Sequence, residues 1–165
     1  MYSKTDLFRA IFRRERKKYY HHMPASEIKR YTDPDVWNNY FKFCFERNPW
    51  DKFISWYWWK GGDEEYSTFR EFINSGNAKP SGFELYTINS QIIVDEVYKY
   101  EELSAAMEDI SKRLNLDEKL DLSKINAKGS INKSRKHYSE LLSDYEREWI
   151  SKVNAREIAF FDYEF

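Results

Sequence analysis

Arg47, Asn48-Pro49 and Ser55 stand together in "FKFCFERNPWDKFISWYWW" (41–59), at the point where an aromatic run gives way to a tryptophan-rich segment. An arginine that ends a strand and turns directly into a capped helix is a design for holding an anion. The helix start offers backbone N–H groups that lack partners within the helix, together with a partial positive charge. Arg47 adds a planar fork that can take two oxygens of a phosphate or sulfate. Ser55 lies seven residues past Asn48. Two helical turns place it on the same face, directed back toward the helix start. Beside this reading stands a plainer one, in which Arg47 bridges a Glu or Asp and Ser55 faces a neighbouring helix.

Three further groups carry chemistry. His21 and His22 in "YYHHMPASE" are the histidines suited to proton transfer near neutral pH, with a solvated pair as the alternative. Two adjacent histidines are a poor zinc signal, and no metal is expected. Lys128, Gly129 and Ser130 in "NAKGS" combine a charge, a backbone free to approach closely and a hydroxyl. They read either as a second anion loop or as an ordinary polar loop. Trp56, Trp58 and Trp59 are a core stripe or a stacking surface for sugar rings, and the three cannot share one helical face. His137, within "KSRKH", reads as surface.

The elements that position these residues follow from capping and turn signals. Residues 5–20 read as a helix with a basic face, "MPASEIKRY" (23–31) as a short helix, and "TDPDVWNNY" (32–40) as another with Asp33 as cap and Pro34 first. "FKFCFE" (41–46) is a strand whose apolar 41, 43 and 45 alternate with Lys42, Cys44 and Glu46. Asn48 caps and Pro49 opens a helix to Trp59, and a short helix follows around "STFREFINS". "SQIIVDEVYKY" (90–100) reads as the second strand, and Ser104 opens a helix through Leu114. Ser143 and Glu146 form an S-x-x-E capping box for a final helix to about Phe160. Helices alternating with strands predict an α/β fold, helices packed on a mainly parallel sheet.

Composition bounds the rest. The 165 residues suit a single domain, 41% hydrophobic content suffices for a core, and a net charge of −1 argues against a nucleic-acid partner. The basic run "RRERKK" (13–18) is a solvated face or a positive approach to an anionic ligand. Cys44 is the lone cysteine, which excludes an intrachain disulfide and a cysteine zinc cluster; within "FKFCFE" it reads as a structural thiol. No membrane span or signal-peptide core is evident, so a cytoplasmic protein is expected.

The stretch 41–59 resembles the 3′-phosphate-binding motif of the carbohydrate sulfotransferase family, whose heparan sulfate 2-O-sulfotransferases and bacterial relatives use 3′-phosphoadenosine-5′-phosphosulfate (PAPS) as donor. Arg47, Asn48, Pro49, Asp51, Lys52, Ser55 and Tyr57 match that motif. "HMPASEIKRY", "IIVDEVYKYEELSAAMEDISKRL" and "AREIAFFDYEF" are similar to flanking segments, with Asp162 where a glycine is usual. The likeness covers about 20–165 of a single domain, 1–165, with 1–19 a basic helical lead-in. It implies a P-loop-like sulfotransferase architecture in which Arg47 and Ser55 grip the donor's 3′-phosphate and Lys128, Gly129 and Ser130 resemble the loop that closes on it. His22, with His21 second, corresponds to the base. It also implies an N-terminally incomplete fold, since no glycine precedes Gly61 and no strand–loop for the 5′-phosphosulfate is evident. The expected function is sulfuryl transfer from PAPS to a hydroxyl of a carbohydrate acceptor; the alternative is an inactive nucleotide- or glycan-binding module derived from that family.

Overall fold

The computed structural model describes residues 19–80, 82–117, 120 and 136–165. The predicted helix over 5–20 falls largely outside these residues; "RRERKK" and the Lys128–Ser130 segment fall wholly outside them. The described chain is a mixed α/β fold with its helices gathered around a short parallel sheet.

Helix α1 (Ala25–Tyr31) follows Pro24, and α2 (Pro34–Asn39) is capped by Asp33, whose carboxylate accepts from the Asp35 N–H at 2.9 Å. Strand β1 (Phe43–Glu46) leads through Arg47 into α3 (Pro49–Trp59), and α4 (Phe69–Asn74) follows. Strands β2 (Thr87–Ile88), β3 (Gln91–Ile92) and β4 (Glu96–Lys99) precede α5 (Leu103–Arg113). The chain closes with α6 (Tyr138–Leu141), α7 (Asp144–Val153) and α8 (Ala155–Phe161).

Two sequence expectations need correction. The single strand over 90–100 is two strands with different partners. Residues 91–92 fold back antiparallel on β2, and β4 pairs in parallel with β1, Phe43 opposite Glu96 and Glu46 opposite Lys99. The cause is a two-residue turn at Asn89 and Ser90, both with positive φ (50° and 63°), the backbone signs of a type I′ hairpin. The final helix breaks at Asn154, whose side-chain amide donates to the Ile150 carbonyl at 3.0 Å, and restarts as α8. Its capping box is present as read, with Ser143 and Glu146 reciprocally bonded.

Helix α3 organises the core. Trp50, Phe53, Ile54 and Tyr57 recur at helical spacing and are all buried. They meet Phe72 of α4, Ile150 of α7 and Phe161 of α8, of which Phe72 and Ile150 are 0% exposed. The tryptophans divide as helical geometry requires. Trp56 and Trp58 are half-buried against the core, and Trp59 is 51% exposed. Gly62, at φ 55°, passes directly beneath the Trp58 ring, where any side chain would collide with it. On β1 the side carrying Cys44 and Glu46 meets the core, and Phe43 is exposed. Phe41, Phe43, Phe45 and Tyr98 instead form an aromatic cluster with ring centroids 5.4–6.1 Å apart. No helix among the described residues is long and apolar enough to cross a membrane.

Candidate functional site

Arg47 stands at the carboxyl end of β1, where ligands of open α/β sheets bind. Its guanidinium Nε donates to Asp51 Oδ2 at 2.5 Å, and its plane lies over the Tyr100 ring, 5.0 Å from the centroid. The bridging alternative raised by the sequence is thus realised at one nitrogen. The two terminal nitrogens have no hydrogen-bond partner among the described residues, and the side chain is 29% exposed. Asp51 and Ser55 are four residues apart on α3, so Ser55 continues the face that Arg47 meets first at Asp51. Ser55 is half-buried, and its hydroxyl has no partner among the described residues.

The helix start does not supply the free N–H groups expected of it. Asn48 Oδ1 accepts from the N–H groups of Trp50 (3.1 Å) and Asp51 (3.4 Å), and the Asn48 carbonyl accepts from Lys52 N–H at 2.9 Å. Pro49 has no N–H. The first turn is therefore satisfied by its own cap, which leaves the terminal nitrogens of Arg47 and the Ser55 hydroxyl as the polar groups of this junction without a partner among the described residues. Asn48 is itself held on three further sides. Its N–H donates to Glu101 Oε1 (2.7 Å), and its amide donates to Tyr138 Oη (3.2 Å) and the Glu164 carbonyl (3.3 Å).

Below Arg47 lies a buried ionic group that the sequence reading missed. Glu46 is 2% exposed and ion-paired with Lys52. Its carboxylate also accepts from Tyr86 Oη at 2.7 Å and the Arg47 N–H at 3.1 Å, and its carbonyl accepts from Tyr163 Oη at 3.2 Å. Burial, with Glu46 adding to it, pushes the Tyr86 phenol well above its ordinary range. The same two causes push the Cys44 thiol up to about 12, so it is a structural thiol and no nucleophile. Close by, Glu157 is 5% exposed and its Oε2 has no partner among the described residues. A signal for this group was present: a glutamate on the β1 face that includes the core-packed Cys44, six residues before a lysine about one helical turn into α3.

A cavity of about 500 Å³ runs along β1 from Met23 to Arg47. His21 and His22 precede Met23 in an exposed turn, His22 with φ 56°. No hydrogen bond or ion pair ties either imidazole to another described residue, and neither touches Arg47 or Ser55. His137 caps α6, its Nδ1 accepting from the Ser139 N–H at 3.4 Å.

A profile of the sulfotransferase family matches residues 5–164, and the chain belongs to that family. It is similar to an uncharacterized protein of Archaeoglobus fulgidus, 36% identical over 106 residues, which span 61% of this chain and 88% of that protein. No solved structure matches the chain.

Proposed function

We propose that the protein transfers a sulfuryl group from PAPS to a hydroxyl of a carbohydrate acceptor, and that Arg47 and Ser55 hold the donor's 3′-phosphate. The observation that carries this reading is Arg47 at the strand end, its Nε bonded to Asp51, which stands one helical turn before Ser55 on α3. Asp51 and Tyr100 orient the fork, and phosphate oxygens accept from its terminal nitrogens. Lys128, Gly129 and Ser130 are assigned to close the site. In support, the described chain downstream of them bonds to the motif's own cap, Tyr138 with Asn48. In the reaction the acceptor oxygen attacks sulfur and the bond from sulfur to the 5′-phosphate oxygen breaks. The hydroxyl proton passes to His22, with His21 as the second candidate, and adenosine 3′,5′-bisphosphate leaves.

Calorimetry with adenosine 3′,5′-bisphosphate and adenosine 5′-monophosphate tests the donor site. Removing one partner of a charge-assisted hydrogen bond costs about 1.5–3 kcal/mol, so Arg47→Ala is expected to weaken the bisphosphate by about ten- to a hundredfold. The monophosphate should bind wild type about as weakly as the bisphosphate binds the variant, because both changes delete one interaction. Equal affinity of wild type for the two ligands rejects the assignment. A second reading, a binding module without turnover, is favoured by the untethered imidazoles of His21 and His22. Sulfuryl transfer that falls about 10²–10⁴-fold in His22→Ala while bisphosphate binding persists decides for the enzyme.

A further inference from the structure

The cavity beside β1 has features that an anion site does not need. All seven consecutive residues 41–47 border it, whereas none of Glu96–Lys99 does. A strand whose successive residues all line one space presents its edge as well as its side chains, and this is the edge opposite β4. Backbone N–H and C=O groups of alternate residues point to such an edge, ready for hydroxyl partners. The remaining walls are largely apolar, with Trp37, Ile28, Leu85 and Val94 among them. One end is polar, formed by Glu46, Lys52 and Tyr86. The charge there is already neutralised, since Lys52 pairs with Glu46 and Tyr86 donates to it. A charged ligand would gain no counter-ion from these three groups, whereas a neutral hydroxyl would find donors and an acceptor among them; Arg47, which also borders the cavity, is the group assigned to the donor phosphate. Gly82 also lines this end, where a Cβ would lie 3.2 Å from Glu157 Oε1 and 3.4 Å from Lys52 Nζ. The volume of about 500 Å³ falls in the range of small-molecule sites, roughly 300–1,000 Å³.

We infer that this cavity is the acceptor pocket and that it takes a neutral hydroxylated molecule bearing a compact apolar group, of the aryl or alkyl glycoside kind. The apolar group lies on the aromatic and aliphatic walls, and the hydroxyls meet the β1 edge and the polar end. The inference rests on the sulfuryl-transfer reading for the word acceptor, but the pocket's ligand class stands on its own geometry. The cavity touches both halves of that reading, because Met23, the residue after His22, and Arg47 both border it.

The test uses 2-naphthyl glucoside and methyl glucoside as probes of the full chain, by calorimetry. The naphthyl probe should bind at least about tenfold more tightly, since even single methylene differences in apolar pockets reach that size. Ile28→Trp and, as a milder filling, Ala25→Leu should each abolish the preference while leaving the binding of adenosine 3′,5′-bisphosphate and the melting curve in place. Equal affinity for the two glucosides overturns the inference, as does naphthyl binding undiminished in both filled variants. A dimer in sedimentation that dissociates in those variants would assign the space to a second copy and also overturn it. Should the bisphosphate fail to bind wild type, the donor reading falls and the glucoside comparison still decides the pocket.

Discussion

Asp95 ties the start of β1 to the segment before β4. Its carboxylate accepts from the Lys42 N–H at 2.7 Å and meets the Lys42 ammonium at 2.8 Å. Partial burial pushes this carboxyl up, but the hydrogen bonds and charge of Lys42 outweigh it and hold the group below its ordinary value of 3.8. A carboxyl lowered in the folded state binds more protons when unfolded, so its stabilisation is present above pH 3.8 and is lost as pH falls through the folded value. Asp95→Asn should therefore lower the urea midpoint at pH 6, and the difference from wild type should shrink as the pH falls below 3.8. A difference that persists unchanged at acid pH would show that the carboxylate's charge is not what joins the strands. Arg47 and Ser55 could be singled out as candidates because their spacing is set by one local junction of strand, cap and helix. Glu46 was missed: its local signal, a lysine six residues on, is weak without the distant partners Tyr86 and Tyr163 that complete the group.

Asn48 is the element-scale counterpart, a single side chain that starts α3 and anchors it. It is 6% exposed, caps two N–H groups and donates to two distant oxygens. Asp33 caps α2 with one bond from an exposed position. Cap losses run about 0.5–2 kcal/mol, so Asn48→Ala should sit at or above the upper end and Asp33→Ala near the lower. At about 2–4 °C per kcal/mol for a chain of this size, Asn48→Ala should lower Tm by about 4–8 °C. Matching shifts in the two variants would show that the distant bonds of Asn48 contribute nothing. The bounds of α3 were legible because Asn-Pro both caps and opens a helix. The split of 90–100 was not, because Asn89-Ser90 lacks the glycine that marks most type I′ turns. The interruption at Asn154 was hidden for a related reason. No glycine or proline marks it, and the break is made by an asparagine bonding back to its own helix.

Across the whole molecule, α3 joins the site to the core, one face carrying Asp51 and Ser55 and the other packed on α7 and α8. The alternation of helices and strands was sufficient to predict an α/β class. The cavity could not be foreseen, since its walls come from α1, α2, β1, Lys52 of α3 and the segment 82–94. The match to the sulfotransferase family spans residues 5–164, which include the 41–59 motif. That span includes the core residues Phe72 and Ile150, so the family signature covers both the packing and the motif. Ile150→Ala should cost about 2–5 kcal/mol by thermal or urea unfolding, because its side chain is fully buried and the space it leaves collapses only in part. A cost below 1 kcal/mol would mean that α7 does not pack as described.

The bonds from Tyr163 to Glu46 and from Asn48 to Glu164 span 117 and 116 residues of sequence, and Trp50 Nε1 reaches the Arg147 carbonyl across 97. The helices need only neighbours four residues away, so they recover early on refolding, whereas the surroundings of Arg47 wait for the largest loops in the chain to close. Recovery of the proposed 3′-phosphate site should consequently trail recovery of helical circular dichroism. Tyr163→Phe, which removes one long-range tie, should weaken nucleotide binding before it visibly reduces helix content. On the proposed reading, binding competence is a late clock of folding rather than a local property of the motif.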